Sequence, residues 1–175
     1  MFTRSLCAAF LFSLPALAAD SPQLGQPITE ADIAPWNIDI APDGAGLPAG
    51  GGNAVKGEEI YLEKCASCHG FDGVGTPADA FVSDQKLLAT PKGTKTVGSY
   101  WPYAPIIFDY TRRAMPLNNP QTLTNDEVYA LTAYILKLNG IIGEKDVMNA
   151  KTLPRVKMPN RDGFIQIWPG NLKTP

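Results

Sequence analysis

Apolar residues in the second half of the chain recur at the spacing of an amphipathic helix. Within residues 126–138 they are Val128, Leu131, Ile135 and Leu138, three or four positions apart. Side chains at that spacing lie on one face of an α-helix. Thr124 and Glu127 stand three residues apart before this run, as in a capping box, and Gly140 follows its end. The pattern predicts a helix over 126–138 that buries one stripe, with Tyr134 beside it.

A second helix is predicted over residues 53–64. Asn53 is a suitable N-cap, and Gly57 and Tyr61 would share one face of this helix. Glycine inside a helix costs about 1 kcal/mol relative to alanine, so a packing reason is expected for Gly57. We therefore expect the helix over 126–138 to approach the backbone closely at this glycine.

Proline and glycine, 16 residues each, interrupt two long segments at residues 19–52 and 143–175. Both segments nevertheless carry bulky apolar side chains, which are uncommon in disordered linkers: Trp36, Ile38 and Ile40 in the first and Phe164, Ile165, Ile167 and Trp168 in the second. We therefore expect two arms that pack either on the domain between them or on another protein. The predicted fold class is all-α, with one helical domain over residues 53–142.

The first 18 residues have the pattern of a secretory signal peptide. A basic start at Met1 to Arg4 precedes an apolar run from Leu6 to Leu14 and an A-x-A site at residues 16–18. Cleavage there would leave a mature chain that begins near Ala19 and is exported to the periplasm. The apolar run is too short for a membrane span, and no later segment is apolar enough for one.

Charge excludes one class of partner. The chain carries 15 basic and 17 acidic residues, for a formal net charge of −2. Nucleic-acid binding requires a basic surface that neutralises phosphates. We therefore expect no nucleic-acid partner.

The segment from Cys65 to His69 reads Cys-Ala-Ser-Cys-His, the attachment signature of a c-type haem. Cysteines three apart on one helical turn face the same way, so Cys65 and Cys68 can each form a thioether with a porphyrin vinyl group. The adjacent His69 can then direct a ring nitrogen at the iron. The sequence thus predicts one covalent haem c, with His69 as an iron ligand.

Three other interpretations of these residues are weaker. Structural zinc normally needs four Cys or His ligands, whereas His69 is the only histidine and Cys7 leaves with the signal peptide. A thioredoxin-like redox pair expects a βαβ pattern around it, which is absent. A simple disulfide between Cys65 and Cys68 would leave the adjacent histidine unexplained.

The second axial ligand must come from a short set, because the mature methionines are Met115, Met148 and Met158. Met115 and Pro116 lie just before the predicted helix over 126–138, where a thioether could reach across the porphyrin. Met158 repeats the Met-Pro pair but follows that helix, and Met148 is expected to fill the core. With His69 and Met115 both on the iron, the site would carry electrons rather than bind a substrate.

Residues 99–113 are predicted to form one wall of the haem pocket. The segment is aromatic, and Pro105 suits the first turn of a helix. Arg112 and Arg113 could neutralise haem propionates, face a partner, or form a solvated helix end.

Taken together, a Gly/Tyr helix ending in the Cys65–His69 motif, the Met115-Pro116 pair and the capped helix over 126–138 resemble a class I cytochrome c across residues 53–142. The resemblance implies that the first and last helices cross beside the haem. It also implies that Met115 supplies the second iron ligand.

Two further runs, residues 96–103 and 158–164, together with Arg112-Arg113-Ala114-Met115-Pro116, are similar to the cytochrome c subunits of bacterial sulfane (sulfur) dehydrogenase and sulfite dehydrogenase. That resemblance implies a partner subunit carrying a molybdenum cofactor, and a downstream cytochrome or other electron acceptor. The sulfane dehydrogenase cytochrome can carry two haems, whereas this chain has one Cys-x-x-Cys-His motif.

Three functions remain open on the sequence. The first is an electron-transfer subunit of a molybdenum-dependent sulfite or sulfane-sulfur dehydrogenase, not itself the enzyme. The second is a free-standing soluble electron carrier, which would need no apolar arms. The third is a haem enzyme or gas sensor, which would need an open iron site.

Overall fold

The structure is a computed structural model that describes residues 24–165. Those residues are mostly helical, which confirms the predicted all-α fold. The α-helices are α1 (Glu30–Ile33), α2 (Ala54–Lys64), α3 (Ala66–His69), α4 (Val97–Tyr100), α5 (Pro105–Ala114) and α6 (Asn125–Leu138). Short 3-10 turns lie at Gln85–Leu87 and Leu153–Arg155, and two-residue strands at β1 (Gly51–Gly52) and β2 (Met148–Asn149).

Helices α2 and α6 begin at the predicted caps and cross in close contact. The Asn53 side chain accepts from the backbone N–H of Lys56 at 3.1 Å, and the Thr124–Glu127 capping box is complete. A Cβ atom built on Gly57 would overlap the carbonyl oxygen of Ala130 in α6. The glycine is therefore required by the helix crossing, as predicted.

Helix α6 is buried on more faces than the sequence indicated. Every residue from Val128 to Leu136 is buried, whereas the pattern predicted one apolar stripe. The reason is that α2, α5, β1 and β2 all pack against α6. The buried residues of α6 include the small or hydroxylated side chains of Ala130, Thr132 and Ala133. Thr132, for example, is fully buried because its hydroxyl donates to the carbonyl of Val128 at 2.7 Å.

The two arms meet over α6. Strand β1 of the N-terminal arm pairs antiparallel with β2 of the C-terminal arm, with Gly51 opposite Asn149. The Gly51 N–H also donates to Asp126 Oδ1 at 2.8 Å, and the Tyr129 hydroxyl donates to the Pro48 carbonyl at 2.8 Å. These bonds hold residues 48–52 on the domain.

The described part of the C-terminal arm packs on its own core. Met148, Leu153 and Met158 are buried, and Asn160 Nδ2 donates to the Tyr100 carbonyl at 2.8 Å. These residues of the arm therefore pack on the domain, whereas Phe164 and Ile165, on which the expectation rested, are 47% and 84% exposed. Ile167 and Trp168 lie outside the described residues.

The first part of the N-terminal arm, residues 24–37, is mostly exposed to solvent rather than packed on the domain. Helix α1 has a complete capping box between Thr29 and Asp32, yet none of its residues is buried. Leu24, Ile28 and Trp36 are 88%, 70% and 85% exposed. Residues 24–37 therefore leave a set of large apolar side chains on the surface.

Residues 99–113, the predicted wall of the haem pocket, contain the end of α4 and most of α5. Trp101 ends α4 in an extended conformation, because the residue before a proline, here Pro102, is disfavoured in helical geometry. Helix α5 then begins at Pro105, as predicted.

Among the described residues, no helix combines the length and apolar character that a membrane crossing requires. The predicted signal peptide, residues 1–18, lies outside that part of the chain.

Candidate functional site

The Cys65–His69 motif forms a tight helical turn at the end of α2. Cys65 closes α2 by donating its N–H to the Tyr61 carbonyl at 2.8 Å, and it also starts α3, since the His69 N–H donates to its carbonyl at 3.0 Å. Both cysteines are free thiols. Burial raises the pKa of the Cys65 thiol to about 11.

His69 is held by one of its two ring nitrogens. Its Nδ1 lies 2.9 Å from the backbone carbonyl oxygen of Asp79, which can only accept a hydrogen bond. Nδ1 therefore carries the proton, and Nε2 is the nitrogen with a free lone pair. A histidine that binds a metal through one nitrogen characteristically donates from the other in this way.

The loop after the motif folds back on it and sets this hydrogen bond. Gly75 N–H donates to the His69 carbonyl at 2.9 Å, and Ala78 N–H donates to the Cys68 carbonyl at 2.8 Å. Gly70 and Gly75 make this possible with φ angles of 76° and 89°, a region that favours glycine. The Asp79 carbonyl is thereby brought to the histidine ring.

Two aromatic residues, Phe81 and Tyr61, pack around His69 and the turn that carries it. The Phe81 ring stacks on His69 with a centroid separation of 4.2 Å, and Tyr61 meets Phe81 edge-on at 6.3 Å. The Tyr61 hydroxyl donates to the Gly70 carbonyl at 2.7 Å. Burial raises the pKa of Tyr61 to about 12, so it remains a neutral donor. The imidazole plane is thus fixed by stacking as well as by its hydrogen bond.

The three candidate methionines occupy different environments. Met115 is half-buried at the end of α5, where its N–H donates to the Thr111 carbonyl at 3.1 Å and its backbone turns extended. Met158 is 1% exposed and Met148 5% exposed, and both belong to the hydrophobic core. Their thioethers are therefore surrounded by protein atoms, as was predicted for Met148.

The two arginines before Met115 have protein partners. Arg113 forms an ion pair with Asp109 one turn earlier, through Nε at 2.9 Å and through Nη2. Arg112 Nη1 lies 3.4 Å from the Ile38 carbonyl of the N-terminal arm. Contact with the protein's own chain was not among the three expectations for these residues. Arg113, whose side chain is 47% exposed and pairs within its own helix, comes nearest to the solvated helix end.

This set of donors fits a covalently bound haem and not a zinc centre. Two free thiols stand three apart on one turn, and the adjacent imidazole keeps one nitrogen free for iron. Within residues 24–165, no group of three or more Cys, His, Asp and Glu side chains is placed to hold a metal ion by itself.

The comparisons with known proteins agree with that chemistry. Residues 54–139 match the protein-family model for cytochrome c. The crystal structure of the sulfane dehydrogenase SoxCD from Paracoccus pantotrophus is similar over 86% of this chain and 73% of that chain, with a TM-score of 0.77 and 34% sequence identity. The chain belongs to the cytochrome c family. The family implies a covalently bound haem c and electron transfer, and the likeness to SoxCD confirms the resemblance predicted from the sequence.

A second relative of this cytochrome is the thiosulfate dehydrogenase of Stutzerimonas stutzeri (strain A1501), which is 30% identical over 88 residues. The matched region covers 50% of this chain but only 28% of that protein. The cytochrome therefore spans less than a third of this relative, and the likeness concerns one part of it.

Two contributors to the site were not predicted from the sequence. Asp79 acts through its backbone carbonyl, which every residue type possesses, so no sequence signal could identify it. Phe81 lies in a loop without apolar periodicity. Its position two residues after Asp79 has meaning only once the loop is known to fold back on the motif.

Proposed function

We propose that this cytochrome is a periplasmic, mono-haem electron-transfer protein whose haem is attached through Cys65 and Cys68. His69 and Met115 are its iron ligands. The observation that carries the proposal is the hydrogen bond from His69 Nδ1 to the Asp79 carbonyl, beside two free thiols on the same turn. It fixes the tautomer and ring orientation that iron coordination through Nε2 requires.

When bound, the haem supplies one-electron chemistry at its iron. The protein's residues set the conditions for that chemistry. The Asp79 carbonyl orients the His69 ring, and the Phe81 ring restrains its rotation. A methionine thioether as the second ligand would raise the reduction potential of the bound haem. Met115 is favoured over Met158 because it is half-buried before α6 rather than enclosed in the core.

We propose that the electrons come from a molybdenum-dependent dehydrogenase of sulfite or sulfane sulfur, and that they leave to a downstream cytochrome or other acceptor. The likeness to SoxCD over most of both chains supports this assignment. In this arrangement the cytochrome is an electron-transfer subunit, and substrate oxidation occurs on its partner.

The lasting contact with the dehydrogenase is assigned to the N-terminal arm, over residues 24–37. Trp36 is 85% exposed, and Pro35 lines a cavity of about 420 Å³ together with Ile38 and Arg112. Large aromatic anchors contribute much of the energy of stable interfaces. In the described C-terminal arm, Met148, Leu153 and Met158 are already buried, which leaves Phe164 and Ile165 among its exposed large apolar side chains.

A free-standing electron carrier is the second candidate function. It is favoured by the packing of Met148, Leu153 and Met158 on the core, since that packing accounts for much of the C-terminal arm without a partner. In this case the cytochrome would be monomeric and would exchange electrons with several proteins through brief encounters.

One experiment separates these candidates. The full chain is produced with the haem-attachment machinery, and the intact mass is measured to count haems. The cytochrome is then mixed with a molybdenum-dependent sulfite dehydrogenase subunit and sulfite, and haem reduction is followed. We expect one haem per chain, a stable complex and rapid reduction. A monomer that is not reduced under these conditions would favour the free-standing carrier, and a chain without covalent haem would contradict both.

A further inference from the structure

A buried carboxylate connects the N-terminal arm to the helix that ends at Met115. Asp109, in α5, is 7% exposed. Its Oδ1 accepts the backbone N–H of Ile40 at 3.0 Å and Nε of Arg113 at 2.9 Å, and its Oδ2 pairs with Arg113 Nη2. Buried carboxylates are costly unless such partners satisfy them.

The two segments that Asp109 joins are both fixed next to it. Ile40 is a buried core residue of the arm. Arg113 lies in the last turn of α5, two residues before Met115, and the Met115 N–H completes that turn by donating to Thr111 at 3.1 Å. Arg112 adds a second link, since its Nη1 lies 3.4 Å from the Ile38 carbonyl. The last turn of α5 is therefore held against the arm at the point where the chain leaves the helix.

We propose that Asp109 is a positioning residue for the iron ligand Met115. By holding Arg113 and the Ile40 backbone together, it restrains the last turn of α5 and keeps the thioether from leaving the iron. This inference rests on the proposed ligand pair of His69 and Met115. A thioether is a weak ligand to oxidised iron, so the rigidity of the segment that presents it governs how often the bond opens.

A second carboxylate clamp provides a matched control. Asp126 Oδ1 accepts the Gly51 N–H at 2.8 Å, so it also ties the N-terminal arm to a helix through a backbone donor. That helix is α6, however, and Asp126 lies in its first turn rather than beside Met115. Loss of either clamp loosens the arm, but only loss of Asp109 releases the end of α5.

The test uses imidazole, which binds to the iron of the oxidised cytochrome when the thioether dissociates. At saturating imidazole the binding rate reports the rate of thioether release. For Asp109→Asn we expect this rate to rise about tenfold, equivalent to about 1.4 kcal/mol, and the far-red thioether absorption to weaken. For Asp126→Asn we expect a rate within about twofold of the wild type, as for a substitution that only loosens the arm.

Arg113→Gln is a second variant that retains the Asp109 carboxylate and its bond to Ile40. The Arg113 side chain is half-exposed, so this variant should fold. We expect its imidazole-binding rate to rise less than that of Asp109→Asn. The positioning role is overturned if the imidazole-binding rate is unchanged in Asp109→Asn. If Asp109→Asn does not fold, an unchanged rate in Arg113→Gln overturns it instead. An equal rise in Asp126→Asn also overturns it.

Met115→Ala, measured in parallel, distinguishes failure of the proposed iron ligand from failure of the positioning role of Asp109. If Met115→Ala loses the far-red absorption while Asp109→Asn behaves as the wild type, the ligand stands and only the positioning role fails. If Met115→Ala keeps that absorption, the proposed ligand is wrong and the positioning role falls with it.

Discussion

Gly57 of α2 lies directly on the backbone of Ala130 in α6. A Cβ atom at residue 57 would overlap the Ala130 carbonyl oxygen and would lie 2.8 Å from the Cβ of Tyr134. Backbone atoms cannot move aside as the end of a flexible side chain can. The separation of the two helices is therefore set at this residue, and with it the position of Cys65 at the end of α2.

Gly57→Ala should destabilise the cytochrome by about 3 kcal/mol, because the two helices must move apart and overpacking of a core typically has this effect. Thermal unfolding of the haem-loaded protein measures the change. Gly143→Ala is the control, since its Cβ would meet only the Asp146 carboxylate, at 3.3 Å. Equal stability of the two variants would show that the helix crossing tolerates a side chain.

A salt bridge at the same crossing predicts how stability depends on pH. Lys64 Nζ donates to Glu127 Oε1 at 2.8 Å, and Thr124 donates to the same carboxylate. These hydrogen bonds lower the pKa of Glu127 from 4.5 to about 2. A carboxyl group with a lowered pKa stabilises the fold above its unfolded-state pKa and loses that contribution as the pH falls. Here the loss occurs between about pH 4.5 and pH 2.

Glu127→Gln should therefore be less stable than the wild type at pH 7, by about 1 kcal/mol, since both partners are partly exposed and solvent screens the pair. The difference should shrink as the pH falls toward 2, because the wild-type carboxyl becomes protonated. Chemical denaturation from pH 7 to pH 2 measures it. Glu59→Gln, which breaks the exposed pair with Lys56, is the control and should show little change. A Glu127→Gln deficit that is constant with pH would refute the assignment.

The helices around the motif were predictable because their signals are local. Asn53 and Thr124 cap their helices through bonds to residues three positions later, and Pro105 suits the first turn of α5. The burial of α6 on several faces was not predictable in the same way. It results from residues 48–52 and 148–158 packing on it, and these contacts join positions distant in sequence.

The residues of the candidate site also fall into those that local sequence predicts and those that only the fold brings together. The thiols and the imidazole are side chains in a fixed spacing, so their chemistry could be stated from Cys65, Cys68 and His69 alone. The Asp79 carbonyl and the carboxylate of Asp109 act through three-dimensional placement. Asp109 occurs within an aromatic segment whose sequence gives no sign that the Ile40 backbone lies beside it.

Trp36→Ala should weaken capture of the proposed molybdenum-containing partner at least tenfold, because exposed aromatic anchors dominate interface energies. The haem spectrum and thermal stability should not change, since the side chain is 85% exposed. Ile165→Ala is a matched control in the C-terminal arm, where the residue is 84% exposed. Surface plasmon resonance with the immobilised partner gives the affinities. Equal affinities for the two variants would remove Trp36 as an anchor.

Deletion of residues 143–175 should destabilise the cytochrome itself. The truncation removes β2 and takes Met148, Leu153 and Met158 out of the core. Loss of even one such side chain commonly costs 2–5 kcal/mol, so roughly this much or more is expected. Thermal unfolding and the haem spectrum measure the effect. A truncated chain with wild-type stability would show that the C-terminal arm does not contribute to the core.

His69→Ala should prevent a stable, normally ligated holoprotein from accumulating, because haem attachment and folding depend on the same turn. The measurement is haem per chain in the purified protein, by intact mass. His69→Gly supplemented with free imidazole is the control, since an added ring can restore the missing ligand. Normal loading and an unchanged spectrum in His69→Ala without imidazole would exclude His69 as the ligand.

His69 and Met115 are the two ligands that we propose for one haem iron in electron transfer. The most direct test of this pair compares the oxidised spectrum and carbon monoxide binding of Met115→Ala with those of Met158→Ala. We predict that Met115→Ala keeps its covalent haem, loses the far-red thioether absorption, binds carbon monoxide when reduced and has a lower reduction potential. Met158→Ala should retain the wild-type spectrum while losing stability, since its side chain lies in the core. Retention of the thioether absorption in Met115→Ala and its loss in Met158→Ala would contradict the account.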